Sequence, residues 1–195
     1  MFRKQAPSNP DVFVSAKTLC AIPARHDSLR EALVQNSLDP QVRSIGYLAS
    51  AYAASQPVDL GAVVVSRDDG RYVLDVVPAR RIRDLDEEGL VQIALRELGL
   101  SALTITADDI RQEPRYANAQ LVWSYNGVRV PIGLRMRIIE VLIEDGPMAL
   151  GRLLSSISAD RDPSPAVMAL ACADLVELDL LSEPIGPRSI VRARS

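Results

Sequence analysis

One histidine, two lysines, two cysteines and 4% aromatic residues occur in a chain of 195 residues, and each scarcity closes off a kind of chemistry. With His26 as the sole histidine, histidine-rich zinc sites are excluded, and a Ser-His-Asp triad would have to be built on that one residue. Cys20 and Cys172 lie far apart in apolar surroundings, so neither a thiolate metal cluster nor a disulfide framework is expected. Both read as buried, reduced thiols. Lysine is confined to Lys4 and Lys17, leaving arginine as the other 20 of 22 basic residues. Any reaction that needs a lysine must draw on one of those two N-terminal positions. Neither end carries an apolar run long enough to span a bilayer, and MFRKQAPSNPDVFV lacks the continuous apolar stretch and small-residue cleavage site of a secretory signal. A cytoplasmic protein is expected.

What is present suits a folded domain. Apolar residues make up 48% of the chain, enough for a substantial core, and a net charge of −3 argues against coating nucleic acid by bulk charge while permitting a local basic face. Residues 1–27 read as an arm, rich in proline and polar residues around VFV, with a single strand or helical turn. SLREALVQNSL places Leu29, Ala32 and Leu33 at helical spacing, with Ser28 and Glu31 set as a capping box. After a turn at Asp39-Pro40 comes a strand-like run through Val42, Ile45 and Tyr47. VDLGAVVVS and RYVLDVVPA, joined by RDDG, predict a hairpin of two central strands with Gly70 at positive φ. LDEEGLVQIALRELGL then reads as a helix with acids in its first turn and Gly99 as its stop. It makes LTIT a strand parallel to its predecessor. IRQEPRYANAQLVWSYNG reads as a loop and a helix, with Trp123 and Tyr125 packing the link between two domains.

The fold class of residues 28–130 is therefore α/β, a mixed sheet with flanking helices. Residues 131–195 change pattern. LRMRIIEVLIEDG, PMALGRLLSSI (with proline in its first turn) and SPAVMALACADLVELDLL read as three helices, and LLSEPIGPRSIVRAR as a hairpin wing, the plan of a winged-helix domain.

Three acids stand out in apolar settings: Glu31 on a helix, Asp59 at the start of one central strand, and Asp75 inside the next. Metal-dependent phosphodiester cleavage needs carboxylates from different elements to hold divalent ions, which activate water and neutralise charge on the phosphate. A structural role competes with that reading at each position. Asp75 is explained equally by pairing with an arginine, and Glu31 by capping its helix. With the hairpin turn centred near Asp68, Asp59 faces Val77 rather than Asp75, so the two acids converge only if a strand bends or bulges. Arg80, Arg81 and Arg83 form a basic cluster beside them, suited to phosphate contacts or to a solvated turn.

The order of SLRE at 28–31, LDPQVRSI at 38–45, VDLG at 58–61 and GRYVLDVVPA at 70–79 resembles the PD-(D/E)xK nucleases, specifically the TnsA-like endonuclease subunits of heteromeric transposases. The segment DIRQEPRYANAQL at 109–121 is similar to the one that succeeds the nuclease core in that family. The resemblance implies a restriction-endonuclease-like sheet with Glu31, Asp59 and Asp75 as catalytic residues binding Mg2+ or Mn2+. It also implies transposon-end DNA, a DDE-type transposase subunit and an AAA+ ATPase regulator as partners. Two departures stand against it: Val77 occupies the position of the motif lysine, and Pro57 lies two residues ahead of Asp59 rather than next to it. Arg80, Arg81 or Lys17 folding back from the arm are the available replacement cations. Arginine reaches far and stabilises phosphate charge, but it is unfit to shuttle protons.

Asp174, Glu177 and Asp179 fall on the expected third helix of the C-terminal module, which disfavours groove insertion and suits a protein partner. Arg188, Arg192 and Arg194 on the wing are the candidates for backbone phosphates. Two other readings stay open: a non-catalytic DNA-docking or assembly protein with a nuclease-like fold, and an unrelated winged-helix transcriptional regulator.

Overall fold

The computed structural model describes residues 11–53, 56–157 and 162–194, so Lys4 and the start of the expected arm lie outside the described residues. The rest of that arm is held in place by apolar burial. Strands β1 (Val12–Phe13) and β2 (Ile22–Pro23) pair antiparallel, and Phe13 and Ile22 are almost wholly buried. The Phe13 ring stacks on Trp123 with centroids 5.3 Å apart and 15° between planes. Two large side chains removed from water hold this short segment against the body.

Helix α1 (Asp27–Leu38) comes next, and its cap differs from the one expected. His26 is the N-cap, its Nδ1 accepting from the Ser28 amide at 3.2 Å. Ser28 therefore lies inside the first turn, and the Ser28–Glu31 capping box does not form. The main sheet is built from β3 (Val42–Ala53), β4 (Gln56–Arg67), β5 (Gly70–Val76) and β6 (Ser101–Ile105), in that spatial order. The first three are antiparallel, with Gly70 at φ 155° in the expected hairpin, and β6 runs parallel to β5. Helix α2 (Leu85–Glu97) makes the crossover. Its N-cap is Asp84, which accepts from the Glu87 amide at 2.8 Å, so the acidic run serves the helix start as expected.

The strand alternation sorts side chains to the two faces. Leu74 and Val76 of β5 meet α1, while Val73 and Val64 meet Val91, Ala94 and Leu95 of α2. Helices α3 (Ala107–Ile110) and α4 (Arg115–Trp123) lie beside α1.

The C-terminal part comprises α5 (Ile132–Glu144), β7 (Met148–Ala149), α6 (Leu150–Ser156), α7 (Ser164–Cys172), β8 (Val176–Leu178) and β9 (Ile190–Ala193). Its three strands form an antiparallel sheet in the order β7-β9-β8. Two expectations are corrected here. Pro147 precedes β7 rather than opening a helix. The third helix stops at Cys172, because Asp174 takes φ 57° and Val176, Leu178 and Leu180 are then buried with a period of two. That is strand alternation, so Glu177 lies in β8, and α7 itself carries no charged side chain.

Apolar packing is continuous across residue 130. Phe13, Leu33, Val76, Val122, Ile138, Leu153, Val167 and Val191 belong to one buried cluster. No helix among the described residues is long and apolar enough to cross a membrane.

Candidate functional site

Asp75 sits near the end of β5, on the face it shares with Val73 and opposite Thr104 of the parallel neighbour β6. Thr104 Oγ1 donates to Asp75 Oδ2 at 3.0 Å. Immediately after β5, Val77–Ala79 form a 3-10 turn containing Pro78, closed by the Arg80 amide donating to the Val77 carbonyl at 3.2 Å. The turn curls the chain back over the strand end. Arg80 thereby reaches Asp75 with two parallel hydrogen bonds, Nε to Oδ1 at 2.9 Å and Nη2 to Oδ2 at 2.5 Å. The Arg80 guanidinium holds the Asp75 carboxyl below its ordinary range, against the opposing effect of burial and with help from the Thr104 hydroxyl. This explains an acid in so apolar a run. Its side chain is only 22% exposed, but its charge is met by a cation on the same chain segment.

Asp59 lies on β4 opposite Ser50 of β3. A bulge separates it from the part of β4 that pairs with β5: the β3–β4 register shifts between Leu48 and Ser50, and Gly61 takes φ 53°. The β4–β5 ladder ends at the Val64–Val73 pair, so Asp59 has no partner on β5. Residues 81–83 run past this stretch of β4 instead. Arg81 Nη1 donates to Asp59 Oδ2 at 2.5 Å, and Arg83 Nη2 donates to the Leu60 carbonyl at 2.7 Å. Arg81 and Arg83 thus lace the segment after β5 to β4, while Arg80 turns back onto Asp75 of β5 itself.

Glu31 is placed elsewhere. Its Oε1 accepts from the Tyr116 hydroxyl at 3.0 Å, tying α1 to α4, and that bond raises the Tyr116 pKa. Helix α1 covers the sheet face lined by Leu74 and Val76, whereas Asp75 shares the α2 face with Val73. Among the described residues, no group of three or more His, Cys, Asp or Glu side chains is gathered so as to hold a metal ion. As arranged, these acids do not fit a divalent cation, since Asp75 and Asp59 already accept from guanidinium groups and Glu31 from a phenol. Lys17 is no substitute for the motif lysine. It is buried beside Asp39 and Asp174, with Nζ donating to the Asp39 carbonyl at 2.6 Å and lying 3.3 Å from Asp174. Burial lowers its pKa.

No protein-family model and no curated protein matches this chain.

The C-terminal arginines are likewise engaged. Arg188 pairs with Glu183 at 3.0 Å and stays largely exposed, and Arg192 pairs with Glu177 across the β8–β9 ladder. Arg194 is only 11% exposed and is spent on structure. Its Nη1 donates to Glu177 Oε1 and to the Pro40 carbonyl, each at 2.6 Å, and its Nη2 to the Val42 carbonyl at 3.3 Å. Sequence reasoning missed Thr104, Tyr116 and Asn118. Only Thr104 carried a signal, through the parallel register that sets LTIT beside VLDVV. The partnership of Tyr116 with Glu31 spans 85 residues and leaves no local trace.

Proposed function

We propose that this chain is a TnsA-like endonuclease-family subunit of a heteromeric transposase. In this reading it keeps a restriction-endonuclease-like core and a C-terminal winged-helix module, and it serves in docking and assembly at transposon-end DNA rather than in cutting it. The observation that carries this reading is the Asp75–Arg80 pair. In the motif order the metal-ligand position holds a carboxylate clasped by its own arginine, and the lysine position holds Val77, whose side chain can neither donate to a phosphate nor orient water. The implied partners are DNA, a DDE-type transposase subunit and an AAA+ ATPase regulator. The uncharged α7 and the paired wing arginines support a protein contact for the winged-helix module over insertion into a DNA groove.

The cutting alternative draws support from the exposure of Arg80 and Arg81, about half of each side chain. It requires both arginines to leave Asp75 and Asp59 before either acid can meet Mg2+ or Mn2+.

A nicking assay on transposon-end DNA with the partner transposase, in Mg2+ or Mn2+, decides between them. Under the docking reading the wild type and Asp75→Ala are both without cleavage, while both support assembly of the transposase on DNA. Metal-dependent nicking that Asp75→Ala abolishes overturns it in favour of cutting. Failure to bind either DNA or the transposase would sink the family reading altogether.

A further inference from the structure

A second feature stands apart from the acids of β4 and β5. A cleft of about 900 Å³ opens between the C-terminal end of α1, the β3–β4 sheet end, the start of α4 and the β8–β9 pair. None of Glu31, Asp59 or Asp75 lines it. Five arginines and four carboxylates do, and the carboxylates are already engaged. Asp39 accepts from Arg67 at 3.0 Å, and Asp68 accepts two hydrogen bonds from Arg43. Glu177 binds Arg192 and Arg194, and Asp179 accepts from the Leu181 and Ser182 amides.

Arg115, in the first turn of α4, is left over. Among the described residues its guanidinium forms neither a hydrogen bond nor an ion pair, although it is partly buried and desolvation lowers its pKa. The Asp39 carboxylate opposes that shift through space, and the charge of Arg67 adds to it. Arg67 in turn has a buried Nε that lacks a partner among the described residues. Two cations from different elements thus line one cleft with donors to spare. A partly buried guanidinium with no directly bonded partner costs free energy, which an incoming anion would offset.

We infer that this cleft binds a phosphate group, with Arg115 as its principal ligand and Arg67 Nε as a second donor. One guanidinium fork satisfies a planar carboxylate, whereas donors converging from two elements suit the several acceptor directions of a tetrahedral phosphate. Leu38, Leu178 and Leu180 on the same wall offer apolar surface to a sugar or base, and the volume falls in the range of small-ligand sites. The phosphate belongs either to a free nucleotide or to the end of a DNA strand. Neither source depends on the nuclease-like reading.

Calorimetric titration of the full chain tests it with four probes: adenosine 5′-monophosphate, adenosine, and one single-stranded oligonucleotide with either a 5′-phosphate or a 5′-hydroxyl. Binding of the monophosphate assigns the nucleotide source, and binding of the phosphorylated oligonucleotide alone assigns the strand end. In either case the unphosphorylated counterpart binds at least about tenfold more weakly, as expected for loss of charge-assisted hydrogen bonds. Arg115→Gln reduces affinity for the phosphorylated probe by a similar factor, with a circular dichroism melt no lower than that of the wild type. Arg71→Gln, on β5 outside the cleft, leaves it unaltered. Absence of binding by both phosphorylated probes overturns the inference, as does equal affinity of wild type and Arg115→Gln. A glutamate-rich peptide that binds in an Arg115-dependent way when the phosphates do not would assign the cleft to an acidic protein segment instead, and would also overturn it.

Discussion

Arg80 clasps Asp75 through both sides of its guanidinium, at 2.9 and 2.5 Å, across a turn of only five residues. Because the arginine is about half exposed, solvent screens the pair, and Arg80→Gln is expected to change the urea midpoint little. The larger effect falls on titration. Asp75 is depressed below its ordinary value of 3.8, so the pair's contribution is fully present above about that pH and is lost as pH falls through the folded value. In Arg80→Gln the Asp75 carboxyl should titrate closer to 3.8, measured by carbon-detected NMR of the side-chain carboxyl. An unchanged midpoint would mean that Thr104, not Arg80, sets it.

Glu177 should be the acid-sensitive point of the C-terminal sheet. Burial works against its charge, but hydrogen bonds from Arg194 and Arg192 outweigh that and hold its pKa below the ordinary 4.5. The stabilisation is complete above pH about 4.5 and disappears as pH falls through the depressed folded value. Glu177→Gln should cost about 2–3 kcal/mol at neutral pH, in line with charged hydrogen bonds. It should also flatten the stability profile below pH about 4.5, monitored by urea unfolding at a series of pH values.

Asn118 is the polar pin between α4 and the 180–185 loop. With 3% exposure it donates to the Leu180 and Glu183 carbonyls at 3.0 and 2.9 Å and accepts from the Ile185 amide at 2.9 Å. Asn118→Leu removes all three bonds and leaves one buried and two partly buried backbone groups unpaired, so a loss of about 2–4 kcal/mol is expected. A urea midpoint equal to that of the wild type would contradict this.

The two thiols should separate cleanly by reactivity. Cys20 is exposed, contrary to the expectation from its apolar neighbours, whereas Cys172 is buried and donates to the Val122 carbonyl at 3.2 Å. Burial pushes the Cys172 pKa up to about 12, which keeps it protonated and unreactive at neutral pH. A thiol-specific reagent at pH 8 should label Cys20 in the native protein and reach Cys172 only after denaturation, as read by peptide mass spectrometry.

The hairpin of β4 and β5, the α2 crossover and the parallel β6 were legible because each announces itself locally, in RDDG, in the acidic helix start and in β-branched runs. The third helix of the C-terminal module was overextended for a definable reason. ADLVELDLL is apolar often enough to suit either period, and what separates them is Asp174 at positive φ, which composition does not advertise. At the candidate site, the three acids and the missing lysine were visible, but the bulge that would bring Asp59 to Asp75 instead sets Asp59 apart from β5. The outcome at each acid was not visible, because it depends on where Arg80, Arg81 and Tyr116 point after the chain has turned. The Cys20 error has the same origin: flanking apolar residues predict burial only when the backbone keeps them on one side.

Arg194 seals the carbonyls of Pro40 and Val42, more than 150 residues earlier in the chain. During synthesis, the first edge of the main sheet must therefore wait, with those two acceptors turned to water, until Arg194 itself has left the ribosome. Strand β3 can pair with β4 long before then, but its seal waits for a residue that follows the whole C-terminal sheet. Once β6 has emerged, and until Arg194 does, the nascent chain can hold a main sheet with all four strands in place and its β3 edge not yet sealed.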